Sequence, residues 1–79
     1  MNTNEFKASR VRKGFTQEKL AQLLGVTKSS LSRKENGITP FNCIEISLIK
    51  VALELTPEDI DKIFFKEKVE NNSTKYGTG

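Results

Sequence analysis

Gly14, Gly25, Gly37 with Pro40, and Pro57 interrupt the chain at nearly regular intervals. Glycine can close a helix in the left-handed conformation and proline can open one but not continue it, so these positions mark helix boundaries. Between them the apolar residues recur at three- and four-residue spacing, and no alternating pattern competes for a strand. The expected fold class is all-α with five short helices.

The first helix is expected from about Asn4 to Lys13, with Phe6 and Arg10 one turn apart on its inner face and Gly14 closing it. Phe15 then enters the core. The second begins at Thr16, whose hydroxyl can accept from a first-turn amide, carries Leu20, Ala21, Leu23 and Leu24, and ends at Gly25. The third is capped by Thr27, turns Leu31 inward and closes at Gly37. A fourth, from Asn42 to Leu53, is apolar around most of its circumference and is expected to be buried on more than one side, as core and as a dimer seam. Thr56-Pro57-Glu58-Asp59 is a helix start, with a Thr cap, proline at the first position and carboxylates near the positive end of the dipole. That fifth helix carries Ile60, Ile63 and Phe64. Residues 1–65 are thus read as one domain, and 66–79, which are polar with few apolar anchors, as a frayed end and disordered tail.

With 79 residues the chain can build only a small core, and a dimer interface would help it. No apolar run is long enough to cross a bilayer, and the polar Met1-Asn2-Thr3-Asn4-Glu5 start does not resemble a targeting signal, so a cytoplasmic location is expected. The Asn-Xaa-Ser/Thr pattern at Asn71 and Asn72 has no meaning there. One cysteine and no histidine exclude disulfide frameworks, Cys/His zinc sites and histidine-based catalysis. Cys43 is expected to be a small buried or half-buried apolar group, since a redox sensor needs an exposed thiolate in an electropositive setting. Charge is unevenly placed: residues 1–37 hold eight basic and three acidic side chains, net +5, and residues 38–79 five and seven, net −2. The polyanion-binding half is therefore the first.

The segment Gln17 to Asn36 meets the demands of two short helices crossing steeply. Ala21 is small at the crossing, Gly25 supplies a positive φ where a β-carbon would clash, Val26 and Leu31 fill the wedge, and Leu20 and Leu24 fix the first helix to the body. Thr16-Gln17-Glu18-Lys19-Leu20-Ala21, Leu24-Gly25-Val26-Thr27, Leu31-Ser32-Arg33-Lys34-Glu35-Asn36-Gly37 and Pro40 together resemble the Cro and phage-repressor type of helix-turn-helix family. The resemblance covers about residues 4–65, including the Leu55-Thr56-Pro57 turn and the Ile63-Phe64-Phe65 end. It implies a five-helix, lambda-repressor-like DNA-binding domain.

Side chains on the exposed amino-terminal half of the third helix must reach base edges in the major groove of double-stranded DNA, which selects Lys28, Ser29, Ser32 and Arg33. The resemblance implies base contacts for Lys28, Ser29 and Arg33. Arg33 is favoured because a guanidinium can bond guanine O6 and N7 together. Gln17, in the first turn of the second helix, is expected to point toward a phosphate; the resemblance implies the same, with Thr27 and Asn36 on the phosphate side. It also implies a structural ion pair between Arg10 and Glu35. Lys34 departs from the family, which places an apolar residue there. Its stem is expected to lie along the wedge with the ammonium in solvent, and Phe41 to cover part of the gap.

The expected function is a transcriptional regulator, a repressor of the phage-like or mobile-element kind that binds an inverted repeat as a homodimer through the fourth and fifth helices. No cofactor, metal or small-molecule ligand is expected. An antitoxin-like subunit acting through a protein partner is the alternative. Enzyme function is disfavoured, because the dipole and capping account for Glu58, Asp59 and Asp61, and Ser29 and Ser30 beside Lys28 have no pocket on an exposed helix.

Overall fold

Each helix begins where a side-chain oxygen takes up an amide that the first turn would leave unbonded. In the computed structural model, which describes residues 1–65, Asn2 Oδ1 accepts from the Glu5 amide at 3.1 Å and opens α1 (Thr3–Arg12). Thr16 Oγ1 accepts from the Lys19 amide at 3.0 Å and opens α2 (Gln17–Leu24). Thr27 Oγ1 accepts from the Ser30 amide at 3.0 Å and opens α3 (Lys28–Glu35).

The last two helices carry reciprocal caps. Ahead of α4 (Cys43–Ala52), Asn42 Oδ1 accepts from the Glu45 amide at 2.8 Å while Glu45 Oε1 accepts from the Asn42 amide at 3.0 Å. Ahead of α5 (Pro57–Ile60), Thr56 and Asp59 make the same exchange at 3.1 and 3.0 Å. Hydrogen bonds from the Thr56 amide and hydroxyl hold the Asp59 carboxyl below its ordinary range.

The fifth helix differs from expectation: after Ile60 it widens into a π-helical turn, Asp61–Phe65. The Ile63 carbonyl accepts from the Asn2 amide at 2.7 Å, so this turn receives the start of α1. The disordered tail expected at 66–79 lies outside the described residues.

Gly25 closes α2 with φ +73°, and its amide donates to the carbonyls of Ala21 and Gln22. A β-carbon added there would meet nothing within 4 Å, so the left-handed backbone, and not the expected clash, is what asks for glycine. Glu54, between α4 and α5, holds a similar conformation (φ +53°) without being glycine.

Phe6, Leu20, Leu31, Ile49, Leu53 and Ile63 form the core, with Ala21 and Leu55 beside them. Phe6, Phe41 and Phe64 close one end: Phe6 stacks on Phe41 at 5.2 Å between centroids, and both meet Phe64 edge-on, at 6.3 and 6.0 Å.

Within one copy α4 has a core side and an open side, and one expectation there needs correction. The helix buries one side only, Glu45, Ile49 and its cap Leu53, while Ile44, Leu48 and Val51 remain 73%, 39% and 76% exposed. Cys43, expected to be at least half-buried, is exposed, because it is the first residue of the helix and faces away from the core.

Candidate nucleic-acid interface

α2 and α3 are locked together by short-range contacts. The Val26 amide donates to the Ala21 carbonyl at 3.0 Å, and Ala21 and Leu31 are buried where the helices meet. This leaves one side of α3 facing solvent. Lys28, Ser29, Ser32 and Arg33 line a shallow concavity with Gln17 at the amino end of α2. Lys28, Ser29 and Arg33 are exposed, whereas Ser32 is half-buried, less open than expected. Two cations and two hydroxyls on one helical face can bond base edges and phosphates without any group being desolvated beforehand.

Beneath the concavity sits a fully buried carboxylate, Glu35. Arg10 Nε donates to its Oε2 at 2.7 Å and Arg10 Nη1 to the Phe15 carbonyl at 2.8 Å. Gln17 Nε2 donates to Glu35 Oε1. The Arg10–Glu35 pair is therefore present and occupied on both carboxylate oxygens, one from α1 and the other from α2.

For Gln17 this is a correction. It borders the concavity as expected, but its amide nitrogen is turned inward to Glu35 because a buried carboxylate needs a second donor more than solvent does. Beside it, Thr16 Oγ1 takes the Lys19 amide and the Thr16 carbonyl takes that of Leu20, which leaves the Gln17 and Glu18 amides without an intrahelical acceptor. A phosphate at this helix end would meet those two backbone donors.

Thr27 and Asn36 stand at opposite ends of α3, and neither lines the concavity. The Thr27 oxygen is engaged by the Ser30 amide, and its hydroxyl proton remains available to an acceptor. Asn36 Oδ1 accepts from Lys7 Nζ at 2.9 Å and its Nδ2 donates to the Ser32 carbonyl at 2.8 Å. Lys7 adds an α1 cation at that end of α3, a position the sequence reading did not single out; its one signal was the step it follows Phe6 on a helix whose inner face was assigned.

Lys34 is the second correction. Its ammonium does not reach solvent but lies 2.5 Å from Glu45 Oε2, with the two side chains 12% and 7% exposed. Burial pushes the Glu45 carboxyl up, but the Lys34 hydrogen bond, the Asn42 amide and the Lys34 charge together hold it below the ordinary range. Phe41 and Lys34 border the same groove, so the expected cover is present while the charge is satisfied from α4. The Asn42–Glu45 spacing was the available signal, since it places a carboxylate at the start of α4.

No described helix is long and apolar enough to cross a membrane. Nothing among curated proteins or solved structures matches the sequence. A family model described as Helix-turn-helix matches residues 6–60, which hold α2, α3 and the Glu35 cluster. The chain belongs to that family, the Cro/C1-type helix-turn-helix proteins, and is a DNA-binding transcription regulator of all-α fold.

Proposed function

We propose that this regulator is a repressor of the phage-like or mobile-element kind, binding an inverted-repeat operator as a homodimer and needing no cofactor. The concavity where Lys28, Ser29, Ser32 and Arg33 meet the amino end of α2 carries this reading. Arg33 and Lys28 read base edges, with guanine the natural partner of Arg33, and Ser29 and Ser32 add less selective hydrogen bonds. Gln17, Thr27 and Asn36 serve the backbone side, Gln17 through the free amides of its own turn. The net +5 of residues 1–37 supplies the sequence-independent attraction.

Two copies joined through α4 and α5 would set their recognition helices about 34 Å apart, one turn of DNA. Selection of bound duplexes from a random pool tests the whole reading, and the expected outcome is an inverted repeat with half-sites one turn apart. Arg33→Ala should then cost about 1–3 kcal/mol on the selected duplex and relax preference at one base, while Gln17→Pro, which removes one of the free α2 amides at a first helical position that accepts proline, weakens all duplexes alike. Equal losses on selected and random DNA for Arg33→Ala would remove its assigned role. A pool that yields no enriched sequence would favour instead an antitoxin-like subunit working through a protein partner, for which the exposed apolar face of α4 is the available surface.

A further inference from the structure

Ile44, Leu48 and Val51 stand four and three residues apart on α4, which puts them in one stripe on a helix of 3.6 residues per turn. All three face away from the core, and no charged residue interrupts the stripe. On the flank beside it are Cys43, Ser47 and Lys50, all exposed, followed by Glu54. A small domain that leaves two side chains about three-quarters bare in a single row has a surface built for another surface.

We propose that this stripe is the seam of the homodimer, with α4 packed antiparallel against α4 of a second copy about a centre between positions 47 and 48. The proposal rests on the dimeric reading given above and names its surface. Four-three spacing is self-complementary only when reversed: Ile44 then faces Val51 of the second copy, and the two Leu48 side chains meet at the two-fold axis. Charge favours the same direction. Parallel packing would set Lys50 on Lys50 and Glu54 on Glu54, whereas the antiparallel arrangement separates the two lysines by about 7 Å along the axis. It also carries Glu54 toward the amino end of the opposite α4, where a carboxylate is favoured.

Lys34 and Glu45 link α3 to α4 on the side about a quarter turn from this seam, so the dimer would fix the recognition helices through one buried ion pair in each copy. The same geometry keeps the two Cys43 side chains about 13 Å apart along the axis, too far to bridge, and brings position 48 of each copy together.

Two experiments on the full chain decide this. Sedimentation equilibrium at micromolar concentrations should find a dimer that Ile44→Gln/Val51→Gln weakens about tenfold or more, with the helical circular dichroism of the folded chain retained, since both positions are exposed within one copy. Mild oxidation should link Leu48→Cys in a Cys43→Ser background and leave the Cys43 wild type unlinked. A chain that stays monomeric alone and on the selected two-half-site duplex, an unweakened double variant, or a disulfide through Cys43 without one through position 48 would each overturn the seam. Binding of the double variant to a single half-site, measured in parallel, reports on DNA reading independently of the seam.

Discussion

Two buried glutamates on neighbouring helices solve the same problem differently. Glu35 takes donors from two other helices, Arg10 on α1 and Gln17 on α2, and so sits where three helices meet beneath the concavity lined by Lys28 and Arg33. Glu45 takes one foreign donor, Lys34, and completes its shell with the Asn42 amide of its own cap. The first carboxylate assembles a surface; the second fastens α3, already built, to α4. An exposed third pair, Lys13–Glu54 at 2.7 Å, shows what the same chemistry looks like where water competes.

The comparison breaks most visibly at Arg10. Arg10→Met strands the Glu35 charge with no exposed surface and should cost about 3–5 kcal/mol in urea denaturation, while the fraction that remains folded still binds DNA. Loss of binding with unchanged stability would move Arg10 from the scaffold to the interface. Lys34→Met should cost less, about 1–3 kcal/mol, because Glu45, with 7% of its side chain exposed against none for Glu35, can reach water while the Asn42 amide still bonds it.

The Glu45 carboxyl titrates below its ordinary value of 4.5 in the folded chain, so its contribution is present above that value and is lost as the pH falls through the native titration. Stability should therefore decline from about pH 5 downward, and less steeply in Lys34→Met. An identical acid profile in the two proteins would detach that decline from the Lys34–Glu45 pair. The smallest effect is expected at Glu54, whose carboxyl is lowered from its ordinary range by the Lys13 hydrogen bond and charge. Glu54→Gly gives up this surface pair but removes the left-handed strain, and a net rise in Tm of about a few degrees is expected by calorimetry; a fall would mean that the ion pair outweighs the backbone.

What was legible in the sequence is what local chemistry decides. Thr16, Thr27 and Thr56-Pro57 cap helices because each acts within its own first turn, and Gly25 ends α2 because φ is set locally. Leu20, Ala21 and Leu31 are buried as their spacing requires. Lys28, Ser29, Ser32 and Arg33 gather into one concavity because they share a helical face.

Lys34, Gln17 and Cys43 were misjudged for a common reason: each depends on what lies opposite, which spacing along one helix does not report. Lys34 meets a carboxylate contributed by the next helix. Gln17 answers a demand created by Glu35, eighteen residues away. Cys43 was expected to be buried because a free cysteine ordinarily packs as a small apolar group, but it stands in the first turn of α4 on a side that the single chain leaves uncovered. The π-helical turn has no local signature in Asp61–Phe65, and its visible purpose is the Asn2–Ile63 bond, a long-range event.

That bond joins residues from the two ends of the described chain, and this has a consequence for the order of assembly. α2 and α3 meet across a turn of three residues and need almost no loop closure, whereas α1 can reach the π-helical turn only after everything between them has been placed. The α2–α3 pair therefore forms early and opens last, and the α1 clasp closes late and frays first. Amide exchange should be fast at Asn2 and slow at Leu31; the reverse ranking would mean that the clasp, and not the recognition pair, nucleates the domain.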